Sequence, residues 1–286
     1  MPRRARHMSG GPINTKESTR KMRKWLVAAS FFVFAATPAL AQDPAAPRGD
    51  WRVVLGGAGF FAPSYEGSDR LKARALPIVD IEWRETVFLD TRRGLGANAL
   101  TLRDPNGRGA LRVGPLLSWR FARDEDDDSD LRGLGNVKDG VDMGGFASYE
   151  FGSFALGLVG RKNVSHTELG STVEVSGRYR HRLAGGTMLA VGPSATWADS
   201  DYMRTYFGVT AAQSRASGLA TASPSAGFKD VGLSGSAVHP LGKGWSLVGT
   251  AGYARLIGDA ADSSLVKTRG SADQTRVGLG VSYRLF

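Results

Sequence analysis

Histidines, clustered carboxylates, alternating arginines and runs of glycine are the features of this 286-residue chain that could do chemistry. Ser165, His166 and Glu168 lie close together and carry the groups a nucleophile, a base and an orienting acid would need. On extended backbone, however, adjacent residues such as Ser165 and His166 point to opposite sides. His181 falls near a strand end on the apolar parity, and His239 precedes Pro240. No nucleophile, base and orienting group emerge within reach of one another, so no catalytic residue and no enzymatic activity is expected. Asp124, Glu125, Asp126, Asp127, Asp128 and Asp130 crowd one stretch, without the spaced ligands or the mid-loop glycine of an EF-hand. They read as a solvated charge run, with a divalent-bridged loop beside anionic lipopolysaccharide as the alternative. The chain has no cysteine, which excludes disulfides and a cysteine-type zinc site. Gly56, Gly57, Gly59, Gly144, Gly145, Gly157 and Gly160 precede no helical pattern, so they mark bends or close approaches rather than a phosphate loop. No cofactor and no metal is expected.

The arginines are more informative because of their parity. In residues 171–182, Val173, Val175, Gly177, Tyr179 and His181 share one face, and Glu174, Arg178, Arg180 and Arg182 share the other. In residues 110–121, Leu111, Val113, Leu117 and Trp119 alternate with Arg112, Ser118 and Arg120. An arginine turned toward lipid costs about 2–4 kcal/mol at the bilayer midplane, so Arg112, Arg120, Arg178 and Arg180, with Glu174, are expected to line a lumen. Residues 274–286 repeat the alternation and stop on Phe286.

These faces need an element that is greasy outside and polar inside, which is a transmembrane β-barrel. Period-two stretches separated by turn signals divide the chain into about twelve strands, an even number, from residue 51 to the end. Short connections at 103–108, 152–153, 184–186 and 240–244 alternate with long ones at 62–71, 123–140, 164–170, 198–226 and 258–272. Short periplasmic turns and long outer loops are the barrel pattern. The connection at 91–93 is too short for it, and residues 198–226 are long enough to fold inward. Trp51, Phe61, Trp83, Trp119, Phe121, Tyr149, Phe151, Trp197, Trp245 and Tyr253 sit at strand ends, as an interfacial girdle requires. A soluble β-sandwich with core aromatics is the alternative.

Lys21, Arg23 and Lys24, an apolar run from Trp25 to Ala36, and Ala39-Leu40-Ala41 before Gln42 form an export signal, with cleavage expected between Ala41 and Gln42. The organisation is therefore an upstream extension at 1–21 that reads as a gene-start artefact, a signal peptide at 22–41, a flexible periplasmic leader at 42–50 and an outer-membrane barrel at 51–286. The formal net charge of +10 falls to +3 once residues 1–41 leave with eight basic residues and one acid. A nucleic-acid partner loses its support with that excess.

Four blocks resemble the MipA/OmpV family over essentially the whole mature chain. Residues 61–68, with Tyr65, Glu66, Gly67 and Ser68, followed by Arg74–Pro77, are similar to its opening block. Residues 132–137 resemble a loop motif. Ala198-Asp199, Tyr202-Met203 and Tyr206-Phe207-Gly208-Val209 resemble a third block, and residues 253–263, with Arg255, Gly258, Asp259 and Asp262, the closing one. Family members commonly finish on Tyr-Arg-Phe. Here Tyr283-Arg284-Leu285-Phe286 has one residue more, so Phe286 leaves the parity of Tyr283 and Leu285, and either Phe286 or the Tyr283/Leu285 face carries the signal for the barrel-assembly machinery. The resemblance implies a barrel in the outer membrane, in contact with its lipid and lipopolysaccharide. It implies a scaffold joining a lytic transglycosylase to a penicillin-binding protein in peptidoglycan synthesis. Family links to osmotic response and drug susceptibility leave a narrow pore as the alternative. Short turns count against a scaffold, and the mixed charge of the expected lumen against a dedicated ion pathway.

Overall fold

In the computed structural model, residues 49–285 are described. The signal peptide, its cleavage site at Ala41 and Gln42, nearly all of the leader, and Phe286 lie outside them. The strands are β1 (Trp51–Pro63), β2 (Leu71–Trp83), β3 (Val87–Asp90), β4 (Gly94–Ala97), β5 (Leu100–Arg103), β6 (Gly109–Arg120) and β7 (Gly140–Phe151). They continue as β8 (Phe154–Asn163), β9 (Ser171–Arg182), β10 (Met188–Ala198), β11 (Gly227–Gly242), β12 (Trp245–Leu256) and β13 (Asp273–Arg284). Each pairs antiparallel with its neighbours. β1 meets β13 from Val54↔Arg284 to Phe61↔Val277, which closes the ring. β4 and β5 both lie along β6, at Leu95↔Leu117 and from Leu100↔Val113, so they are halves of one broken strand in a closed twelve-stranded barrel. The break has a cause: Asn98 turns aside to the β2–β3 turn, its Nδ2 donating to the Glu85 carbonyl at 2.6 Å and its N–H to that of Thr86 at 2.7 Å.

Alternation fixes the faces. Leu55, Leu117, Leu156, Val175, Leu233 and Leu279 project outward and remain exposed, the band a bilayer would cover. Their neighbours turn inward, where curvature crowds them. At Gly56 a Cβ would collide with the backbone of Val281 and Ser282, so the glycine there answers a close approach. Trp51, Trp83 and Trp245 stand outward near the short-turn end, and Phe61, Trp119, Phe228 and Tyr253 near the long-loop end. Among the described residues no helix is long and apolar enough to cross a membrane, so the crossing is made by strands.

The short connection at 91–93 is a real notch. β3 pairs with β2 only from Asp80 to Trp83, and the hairpin turns back at Asp90, where Arg92 and Arg93 donate backbone N–H groups to its Oδ1 at 2.7 and 3.1 Å. Among the described residues, β2 has no strand partner on this side above Asp80. Thr91 covers the first step, its hydroxyl donating to the Pro77 carbonyl at 3.0 Å. Higher up, the acidic loop replaces the missing wall, which corrects the reading of that loop as a solvated charge run. The Asp128 carboxylate is buried, accepts from the Ser64 hydroxyl, and lies 3.3 Å from Arg70, while Lys72 reaches the Asp127 carbonyl.

The long loops also hold structure that the parity pattern does not show. Residues 198–226 carry helices α1 (Ser200–Phe207) and α2 (Ala211–Ser217), and residues 258–272 carry α3 (Gly258–Asp262) and α4 (Ser264–Arg269). The apolar core of the molecule lies among these loops. Leu169, Tyr202, Met203, Phe207, Leu256 and Val266 form one buried cluster, and Tyr65, Leu131, Leu134, Val209, Leu219 and Leu265 a second.

Candidate functional site: a capped, arginine-lined lumen

The cap starts from one helix. Asp199 stands at its N-terminus and accepts the N–H groups of Tyr202 and Ser171, each at 2.9 Å. Burial alone would raise the Asp199 carboxyl, but these backbone donors outweigh it and hold it below its usual range. Tyr202, Met203, Tyr206 and Phe207 then fall on one face of α1 and are buried. Loop contacts fasten the cap around it. The Tyr65 hydroxyl donates to the Arg269 carbonyl at 3.0 Å, the Arg269 guanidinium to the carbonyls of Asp130 and Ser217, and the Ser263 hydroxyl to that of Phe207 at 2.6 Å. Gly67 has φ +97°, and a Cβ there would lie 2.7 Å from Val266 Cγ2.

Beneath the helix sits a buried ionic layer. A register shift at Thr196/Trp197 puts a bulge into β11, so that Lys229 and Asp230, adjacent in sequence, both turn inward. The Lys229 ammonium donates to Glu66 and, at 2.5 Å, to Asp230. Tyr202 donates to the other Glu66 oxygen at 2.8 Å. Burial first, then the Glu66 charge, push the Tyr202 phenol well above its usual value, so it stays a donor. Beside this layer Arg120 donates to Asp142 at 2.9 Å and to the Leu169 carbonyl at 2.5 Å, and Asn163 donates to Asp142 at 2.9 Å.

Below the cap the lumen is wetter and more basic. Inward-facing Arg120 and Lys229 keep 2% and 1% side-chain exposure near the cap, whereas inward-facing Arg52 and Glu150 keep 27% and 38% near the short-turn end. The barrel is therefore closed by packed loops at its outer mouth and reached by solvent from the periplasmic side. Glu174 lies among Arg161, Arg178, Lys229 and Asp230. Glu150 faces Arg112 at 3.0 Å and Arg180 at 3.6 Å, and Arg52 pairs with Asp80 at 2.7 Å and with Glu82.

Of the residues singled out from the sequence, Arg112, Glu174, Arg178 and Arg180 face the interior, and Arg120 faces inward but is enclosed by the cap. Tyr65, Glu66, Gly67, Ser68, Tyr206, Phe207 and Gly208 converge in the cap. Gly258 opens α3, Asp259 accepts the Ser225 N–H at 2.7 Å, and Asp262 pairs with Lys267 at 2.8 Å. Arg255 turns outward at the rim and pairs with Asp273 at 2.7 Å. Parity reasoning missed Arg92 and Arg93, which lie in a turn, and Lys229, which a bulge re-aims. The helix had a readable signal: Asp199 as N-cap, then apolar residues at 202, 203, 206 and 207. The lumen carries both signs, with Arg52, Arg112 and Arg180 paired to Asp80, Glu82 and Glu150. Among the described residues no group of three or more histidines or carboxylates is arranged to hold a metal.

A closed antiparallel barrel with an apolar outer band, aromatic girdles, short turns at one end and long loops at the other is an outer-membrane protein. The model of the family described as MltA-interacting protein MipA matches residues 55–285, and the chain belongs to that family. No curated protein matches the chain. Solved barrels match it weakly. OprB of Pseudomonas putida is 9% identical with a TM-score of 0.39, over 74% of this chain and 59% of that one. The outer membrane channel DcaP of Acinetobacter baumannii is 10% identical with a TM-score of 0.38, over 82% of this chain and 96% of that one. OprD of Pseudomonas aeruginosa is 12% identical with a TM-score of 0.36, over 84% and 68%.

Proposed function

We propose that this protein is a closed outer-membrane barrel that serves as a periplasm-facing scaffold for cell-wall enzymes. The observation that carries the reading is the packed cap, which buries Phe207 and Met203 across the outer mouth and leaves solvent access on the periplasmic side. A sealed outer mouth disfavours bulk solute passage and leaves the short turns and the lumen as the surfaces a soluble partner can meet. The family's name supplies the partner class, an MltA-type protein, and the family resemblance drawn from the sequence supplies its reading as a lytic transglycosylase joined to a penicillin-binding protein. The narrow pore is the second reading, favoured by the polar, arginine-lined lumen beneath the cap. Two measurements on folded residues 42–286 separate them. The scaffold reading expects silence in a planar bilayer and capture of a lytic transglycosylase from periplasmic extract, lost when the turns at 84–86 and 240–244 are replaced. Stepwise, reproducible openings without capture would overturn it.

A further inference from the structure

At mid-height the lumen gathers arginines faster than it gathers acids. The β3–β4 turn brings Arg92 and Arg93 to Asp90, which lies 3.5 Å from the first and 3.6 Å from the second. Toward the short-turn end, on β6, β7 and β9, Glu150 is shared between Arg112 and Arg180. Arg178 lies on β9 two residues from Arg180, on the same inward parity. The charges acting on it are Arg92, Arg180 and Arg93, opposed by Glu150. Among the described residues it has neither a hydrogen bond nor an ion pair. The Arg93 Nε is buried without a hydrogen-bond acceptor, its nearest charge being Asp90 at 3.6 Å. Enclosed like charges of this kind repel, and the low-dielectric wall focuses their field into the chamber.

We propose that this chamber is a binding site for a small oxyanion, a phosphate or a carboxylate group entering from the periplasm. Guanidinium forks suit both, because each presents parallel N–H donors to two oxygens. Arg178 supplies the uncommitted fork, and Arg93, which faces Asp90 at 3.6 Å and lies 4.0 Å over the Phe88 ring, adds its charge and its buried Nε donor. Half-buried Glu150 and Arg112, near the short-turn end, mark the entry side, and the packed cap closes the other. Neither enzyme docking nor conduction is needed for the proposal, which stands or falls on the chamber alone.

The test is calorimetric titration of the folded, detergent-solubilised barrel with inorganic phosphate and, separately, with citrate at low ionic strength. Saturable binding of at least one anion is expected, weakened about tenfold or more by Arg178→Gln and by Arg93→Gln, each removing one charged fork. Lys267→Gln on the outer face, which pairs with Asp262 in the cap, is expected to bind as the wild type does. Heat-modifiable migration confirms that each variant is a folded barrel. If Arg178→Gln does not fold, Arg178→Lys, which keeps the charge and loses the fork, is expected to bind several-fold more weakly. Phosphate without citrate identifies a phosphoryl site, and citrate without phosphate a carboxylate site. No heat with either anion, or equal affinity in the wild type and in the folded arginine variants, would overturn the proposal.

Discussion

At the scale of single residues, the bulge at Lys229 is the most consequential device in the chain. Without it Lys229 would point to lipid, as parity dictates, and Glu66 and Asp230 would share the cap floor with no ammonium between them. Removing one partner from a buried ion pair leaves an uncompensated charge, a loss of about 3–5 kcal/mol. Lys229→Met is therefore expected to destabilise the folded barrel by that order, read as a lower urea midpoint in detergent. The double variant Lys229→Met/Glu66→Gln should recover part of the loss, and a double variant no more stable than the single one would sink the account. Gly67 makes a second, independent case. Its φ of +97° and the 2.7 Å approach of Val266 predict that Gly67→Ala costs about 1–3 kcal/mol. Gly57→Ala, which faces open space on the outside of β1, is expected to cost much less in the same melt.

At the scale of elements, the truncated β3–β4 hairpin and the acidic loop belong together. The loop carries Asp128 into the place of a missing wall, and its stability should follow that carboxylate. Burial works to raise the Asp128 carboxyl, but the Ser64 hydroxyl, the Asp130 N–H and the charges of Arg70 and Lys72 outweigh it, so the net shift is downward. A depressed carboxyl contributes stability that is present above its unfolded value near pH 3.9 and is lost as pH falls through the lower folded value. Hydrogen-exchange protection of residues 125–137 is expected to hold from neutral pH to about pH 4 and to collapse below it. Asp128→Asn should lower protection at neutral pH and flatten that dependence. A loop equally protected at pH 3 and pH 7 would show that the carboxylate does not hold it. The strands were legible because inward and outward residues alternate with the pleat, a local property of each stretch. The notch, the broken strand at Asn98 and the bulge were not, since each depends on a neighbour far along the chain. The cap helix was legible in principle from Asp199 and the spacing of Tyr202, Met203, Tyr206 and Phe207, but its polar flanks hid it among loop residues. The family blocks marked the cap residues without showing that they meet.

At the scale of the whole molecule, two properties decide what the barrel can do: a sealed outer mouth and a basic interior. They can be separated by opening the first while keeping the second. Met203 and Phe207 are almost wholly buried in the apolar cluster of the cap, so Met203→Asp/Phe207→Asp should loosen α1 while leaving the arginines of the chamber in the sequence. Two carboxylates forced into an apolar cluster cost several kcal/mol, enough to displace a short helix whose other anchors are an N-cap and loop contacts. The strands, with continuous ladders from β6 to β13 and across to β1 and β2, should stay closed. The wild type is expected to be silent in a planar bilayer, and the double variant to show stepwise openings. Because Arg92, Arg93 and Arg178 set the field at mid-height, the reversal potential in a salt gradient should favour anions, and adding Arg178→Gln should reduce that preference. Silence from the loosened variant, with its barrel still folded, would mean that lumen side chains rather than the cap close the path. Cation-selective openings would mean that the acids near the periplasmic end, Asp80, Glu82 and Glu150, govern the interior instead.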